Sequence, residues 1–202
     1  MSANLNYNSF YNPYQPPGKI FPPPWWQGKN VDQGGCGQFN FDKGSWLNDN
    51  FNQGGWFNRN FGFGGFGNDN FDMGGLFNIN YASGGAGNDN FEVGGGLFNK
   101  NYADGGQGKD TFVVNNDGIC NETFINGGEG QDTVKLDGSR WDYESYEDEK
   151  GIHYRHKESG NIVHLQNVEN IQFSKPDIII PPNWQPSPDF MPYIGDIAIT
   201  NT

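Results

Sequence analysis

Five aspartates recur at near-constant spacing through the middle of the chain: Asp49, Asp69, Asp89, Asp110 and Asp132. Four of them close the hexapeptides GGFGND, GGAGND, GGQGKD and GGEGQD, which begin at Gly64, Gly84, Gly105 and Gly127. Asp49 closes GSWLND and keeps only the carboxylate. A carboxylate at a fixed offset from a glycine pair, repeated in phase, offers a column of oxygen ligands, and glycine turns can point carbonyl oxygens into the gaps of that column. Such an all-oxygen set suits a hard divalent cation; Ca²⁺ takes six to eight oxygens at about 2.3–2.6 Å. Catalysis has no comparable support. There is no serine nucleophile motif, no HExxH and no phosphate loop ending in Lys-Ser/Thr, and the acidic residues are used within the repeat. His153 and His156 fall on opposite faces of a strand by parity, which argues against a shared ion.

The elements that position the aspartates follow from the repeat. From Gly34 to Leu136 the chain falls into blocks of ten, with one inserted Gly and one longer block. An aromatic stands at the eighth position of nine blocks: Phe41, Phe51, Phe61, Phe71, Tyr81, Phe91, Tyr102, Phe112 and Phe124. A glycine pair every ten residues is incompatible with helix, so turns alternate with very short strands that stack as a β-solenoid. The blocks also alternate in kind. Those at Gly64, Gly84, Gly105 and Gly127 read GGxGxD, whereas those at Gly54, Gly74 and Gly95 carry Phe57, Phe77 and Phe98 at the fourth position. One coil is therefore about twenty residues with two chemically different edges, and like turns stack at one strand spacing of roughly 4.8 Å. On the second edge the three Phe are expected to form a packed ladder in place of a metal. Rows of Asn (Asn58/Asn60, Asn78/Asn80, Asn68/Asn70, Asn88/Asn90) either pair amides along the stack or reflect tolerance of left-handed turns, and the two readings are compatible. Cys36 and Cys120 share an edge four coils apart, too far for an internal disulfide, so they are expected as free thiols, interchain partners or small apolar filler.

Composition agrees with a repeat and with no ordinary core. Gly (31) and Asn (28) exceed a quarter of the 202 residues, and Leu, Ile, Val and Phe together number only 43. That is about 21%, near the level below which chains stay disordered. The net charge of −12 repels nucleic acid and anionic membranes and attracts cations. No apolar run is long enough to span a bilayer, and residues 1–30 lack the pattern of a cleavable secretory signal.

On the GGxGxD blocks the sequence resembles the repeats-in-toxin (RTX) family of calcium-binding β-rolls, with a period of ten instead of nine and the motif on one edge only. The resemblance implies an all-β, right-handed parallel β-roll with Asp69, Asp89, Asp110, Asp132 and the less regular Asp49 as Ca²⁺ ligands. Carbonyls at Gly64, Gly84, Gly105 and Gly127 would complete the sites. Residues 138–173 resemble the capping module that follows such rolls, of the form DY…G…V…L.NVE.I.F, carried by Asp142, Tyr143, Val163, Leu165, Asn167, Val168, Glu169, Ile171 and Phe173. The expected organisation is a Pro/Tyr/Trp-rich arm (1–33), the decapeptide roll (34–137), a C-terminal β cap (138–174) and a Pro-rich tail (175–202). By the same resemblance the tail would carry an uncleaved signal for one-step (type I) export, and the protein would lie outside the cell or on its surface.

Third-position residues are apolar in the early coils, so Trp46, Trp56, Phe66 and Leu76 are expected to form an exposed strip, covered by the arm through Trp25 and Trp26 on the same or a neighbouring molecule. No effector domain remains once roll and cap are subtracted. The expected function is a secreted calcium-binding structural protein that folds on Ca²⁺ and assembles with its own copies into a fibre, sheath or surface layer. The alternative is an adhesin or polysaccharide-binding module using the exposed Trp residues, with ice binding ranked below it. Three or four ions would reduce the charge from −12 to about −6 to −4, and the roll is expected to be largely unfolded without them.

Overall fold

The computed structural model describes residues 28–177. Alternating short and long strands wind as a parallel β-solenoid. The short strands β1 (Asn30–Asp32), β3 (Asn50–Gln53), β5 (Asn70–Met73), β7 (Asn90–Val93), β9 (Thr111–Val114) and β11 (Thr133–Leu136) build one sheet. The other sheet holds β2 (Phe39–Lys43), β4 (Arg59–Phe66), β6 (Ile79–Ala86), β8 (Lys100–Gly108) and β10 (Glu122–Gly130). Register advances one coil at a time, Asn50 opposite Asn70 and Asn70 opposite Asn90.

The core is one aromatic ring thick. Phe51, Phe71, Phe91 and Phe112 point inward from the first sheet and stack at centroid spacings of 4.7, 4.8 and 4.7 Å. The second sheet faces them with little bulk: Ala82 and Ala103 are buried, and a methyl group on Gly62 would come within 3.1 Å of Phe51. Large residues on one sheet and small ones on the other let the sheets approach closely, so a chain poor in aliphatics still buries four Phe rings, each worth about 1.5–3 kcal/mol.

The eighth-position aromatics are not equivalent. Those of the short strands fill the core, whereas Phe41, Phe61, Tyr81, Tyr102 and Phe124 lie on the outer face of the second sheet. The cause is turn length. The residue preceding each strand is the fifth of its block on one edge (Asn58) and the sixth on the other (Asp69), and one residue of offset flips every side chain of a strand.

After β11 the C-terminal segment first doubles back through an antiparallel pair of strands and then adds one further coil. β14 (Ile162–Gln166) pairs parallel with β10, and β15 (Asn170–Phe173) pairs parallel with β11. β13 (Gly151–His156) and β12 (Tyr143–Asp148) run antiparallel beyond β14. Tyr143, Tyr154, Val163 and Leu165 are buried there, so these strands close the end of the core, as a solenoid terminus requires.

Candidate functional site

Both edges are built on the same principle: one polar side chain before each strand, hydrogen-bonded to the backbone of the preceding coil. On the asparagine edge the Oδ1 atoms of Asn58, Asn78, Asn99, Asn121 and Asn161 accept from the backbone N–H of Gln38, Asn58, Asn78, Asn99 and Asn121 at 2.8–2.9 Å. Their amide groups also donate. Asn78 Nδ2 reaches the carbonyls of Gly74 (3.0 Å) and Gly55 (2.9 Å), so each buried amide is satisfied on both sides. A second buried amide row runs Asn40, Asn60, Asn80, Asn101. Of the Asn rows in the sequence, Asn60/Asn80 pairs amide to amide, Asn58/Asn78 and Asn68/Asn88 bond side chain to backbone, and none of these Asn has a left-handed backbone.

The aspartate edge repeats the first half of this arrangement and not the second. Asp69, Asp89, Asp110 and Asp132 accept, through Oδ1, from the N–H of Asp49, Asp69, Asp89 and Asp110 at 2.7–2.8 Å. Asp49 closes the column at one end. Its Oδ2 accepts from Ser45 N–H and its Oδ1 from Lys29 N–H. At the other end Glu169 Oε2 accepts from Asp132 N–H at 2.8 Å. The four middle carboxylates are at most 2% exposed, and the Oδ2 of each is buried without any hydrogen-bond partner.

Those four oxygens share a common setting. A methyl carbon built on Gly84 would overlap Asp89 Oδ2 and stand 2.7 Å from the Gly105 carbonyl oxygen. At Gly64 it would overlap Asp69 Oδ2 and stand 2.6 Å from the Gly84 carbonyl. Gly105 and Gly127 have the same surroundings, with the Asn167 carbonyl, on the added coil, in the last position. The first glycine of each pair is therefore required for space, because the carboxylate occupies the place of its side chain. The second is required for conformation, with φ near +105° at Gly65 and Gly85.

Carboxylate and carbonyl oxygens bordering one space, with no donor among them, repel each other unless a proton or cation lies between. The electrostatics express the same conflict. Burial raises the carboxyl pKa from 3.8 to about 6 at Asp69 and Asp110 and about 7 at Asp89. A backbone N–H bond opposes the rise, and neighbouring aspartates of the column add to it. Asp132 is also raised, again by burial first. The donor set fits Ca²⁺, a hard ion that accepts carboxylate and carbonyl oxygens together. Among the described residues no three His, Cys, Asp or Glu side chains converge on a metal position, so a cation here would draw most of its shell from the glycine turns.

The structure divides the expected apolar strip. Trp46 and Phe66 stack at 4.7 Å on the aspartate edge, while Trp56 and Leu76 lie on the asparagine edge, joined to Cys36, Leu97 and Ile119 by bridges from coil to coil. Consecutive blocks turn at opposite edges, so third positions cannot form one row. Trp25 and Trp26 lie outside the described residues. Phe57, Phe77 and Phe98 do stack, at 5.0 and 5.4 Å, yet about half of each ring faces solvent. The asparagine edge is held by the Asn ladder rather than by apolar burial. Cys36 and Cys120 are free and exposed, which removes the filler role.

Two features escaped the sequence reading. Glu169 continues the aspartate column, and its signal is the match of ENIQF to DNFDM and DNFEV. His153 pairs not with His156 but with His164 on the adjacent antiparallel strand, Nδ1 to Nδ1 at 2.7 Å, and its Nε2 meets Asp148 Oδ1 at 2.9 Å. Cross-strand pairing cannot be read from parity within one strand. No family model matches the chain, and neither a curated protein nor a solved structure matches it.

Proposed function

We propose that this protein is a calcium-binding structural β-roll of the repeats-in-toxin kind, one that folds on Ca²⁺ outside the cell and assembles with copies of itself into a fibre, sheath or surface layer. The observation that carries the calcium reading is the column of four buried carboxylate oxygens without hydrogen-bond partners, three beside a glycine carbonyl of the next coil and the last beside the Asn167 carbonyl. Asp69, Asp89, Asp110 and Asp132 would hold the ions with carbonyls of the flanking glycine turns, and Asn167 would serve at the last turn. Asp49 is the weakest member, since Ser45 N–H already satisfies its Oδ2. Bound Ca²⁺ would supply positive charge between oxygens that otherwise repel, and the low cytosolic level of the ion would keep the chain unfolded until export.

Self-assembly is favoured over sugar binding by the way the exposed rings are used. Phe57 with Phe77 and Trp46 with Phe66 are nearly parallel, at interplanar angles of 5° and 14°. One face of Trp46 and of Phe57 is thereby covered by the neighbouring ring, which leaves less free face than a sugar platform built on unstacked rings would offer. The reading is tested by titrating CaCl₂ into an EGTA-treated sample while following circular dichroism and light scattering. Order and large particles appearing together is the expected result. Full β-sheet signal in EGTA, or unchanged calcium affinity in the Asp89→Ala, Asp110→Ala double variant, overturns the calcium reading. A mass that stays at 22.5 kDa at high calcium overturns assembly.

A further inference from the structure

We infer that the asparagine edge is a homotypic docking ridge, through which two copies of this chain pair antiparallel. The inference rests on the self-association reading above and names its surface. The first observation is backbone conformation. Phe57, Phe77 and Phe98 have φ of +56°, +56° and +54°. Bulky residues are disfavoured in this left-handed region, where Gly or Asn sits at little cost. Gly37 holds the equivalent position one coil earlier, so the turn itself accepts glycine. Three successive turns instead carry strained phenylalanines whose rings are 46–58% exposed. A side chain that strains its backbone to reach solvent contributes little to its own fold, and such outliers mark contact surfaces.

The second observation selects the partner. In a chain of net charge −12, the turns at 34–38, 54–58, 74–78 and 94–99 contain no Asp, Glu, Lys or Arg. Two copies meeting here bring no carboxylates together, whereas the opposite edge would set one aspartate column against another. The ridge also repeats at the coil spacing, with ring centroids 5.0 and 5.4 Å apart. A surface with that same period meets it in register along its whole length, and a second copy has it by construction.

Orientation follows from the ends of the ridge. Its acidic residues are Asp117, in the fifth turn, and Glu158, in the turn that carries Asn161. Parallel pairing places Asp117 against Asp117 and Glu158 against Glu158, while a two-fold axis through the Phe77 turn places Asp117 against the uncharged first turn. The same axis brings Cys36 of one copy beside Ile119 and Cys120 of the other. Both thiols are exposed and free.

The test uses the full 202-residue chain in CaCl₂. Sedimentation velocity compares the wild type with the triple variant Phe57→Asn, Phe77→Asn, Phe98→Asn, in which Asn retains the left-handed turn. The variant is expected to keep the wild-type circular dichroism and calcium midpoint while its association weakens at least about tenfold. The control pair Phe39→Ser, Phe41→Ser, on the exposed sheet face, is expected to associate as the wild type does. A short bismaleimide is expected to link Cys36 of one copy to Cys120 of another, identified by peptide mass spectrometry and lost in Cys36→Ser. Undiminished association of the triple variant overturns the ridge while self-assembly stands. Links only between like cysteines overturn the antiparallel pairing, and a wild type that is monomeric throughout overturns both the ridge and the assembly reading.

Discussion

Replacing Asp89 by Asn exchanges one atom and separates the two roles of the carboxylate. Its Oδ1 accepts from Asp69 N–H at 2.7 Å and an amide oxygen can do the same, while Nδ2 would bring a donor to the place where Oδ2 has no partner. The asparagine edge already displays the product, with Asn78 accepting from one backbone N–H and donating to two glycine carbonyls. At about 1.4 kcal/mol per tenfold change in proton affinity, a carboxyl raised from 3.8 to about 7 opposes folding by about 4 kcal/mol at pH 8 when no cation balances it. Local relaxation lowers that figure, and the amide hydrogen bond adds about 1 kcal/mol, so Asp89→Asn is expected to stabilise the calcium-free protein by about 2–4 kcal/mol. Because the wild type is largely unfolded in EGTA at pH 8, the gain is read as β-sheet signal that the variant recovers there. In saturating calcium the same variant loses a ligand, so its midpoint moves to higher calcium. The assay is circular dichroism in EGTA and along a CaCl₂ titration, between pH 4 and 8. The pH dependence has a definite sign. A raised carboxyl pKa favours the protonated fold, so its contribution is complete below about pH 4 and is lost as pH climbs through about 7. Calcium-free wild type is therefore most stable in mild acid, and Asp89→Asn flattens that slope. A variant with no more β-sheet signal than wild type in EGTA at pH 8 would refute the claim that Oδ2 lacks a donor.

Further expectations follow from the same geometry. Gly84→Ala forces a methyl group onto Asp89 Oδ2 and should cost at least about 2 kcal/mol. Gly54→Ala, whose nearest neighbour would stand 3.6 Å away, should be near neutral; equal effects in chemical denaturation would contradict the spatial role of the first glycine. Asn78→Ala removes one acceptor and two donors from a buried ladder and should destabilise the roll by about 3 kcal/mol at any calcium level, a cost that calcium rescue would contradict. In the cap, burial and the neighbouring His153 lower the His164 pKa, so the stability it confers holds above about pH 6.5 and falls as the pH drops. Hydrogen-exchange protection factors in β13 and β14 should fall between pH 7 and pH 5 in the wild type and less so in His164→Gln.

Much of this was legible because a repeat multiplies weak signals. One GGxGxD is uninformative, but four in phase fixed the coil length, the two edges and the column of aspartates, and all of these stand in the structure. Details governed by a single residue of offset were not legible. The eighth-position aromatics look identical in sequence, yet Phe71 is core and Phe61 is surface, because Asn58 and Asp69 occupy different places in their blocks before equivalent strands. Trp46 and Trp56 share the third position of consecutive blocks, yet the edges they occupy face away from each other. Pairings between distant strands were equally hidden. His153 with His164 does not follow from local periodicity, and Glu169 shows its place only through the match of ENIQF to the repeat, which resumes after the chain has reversed.

The most direct test of the calcium claim is the number of ions held. Equilibrium dialysis against Ca²⁺, with metal counted by atomic emission, should find about four per chain, one for each carboxylate oxygen that lacks a partner. The number should fall when Asp69, Asp89, Asp110 and Asp132 are all replaced by Asn. A folded wild type that retains no calcium at millimolar concentration would contradict the account and leave the protons of those four carboxyls as the charges that hold the edge together.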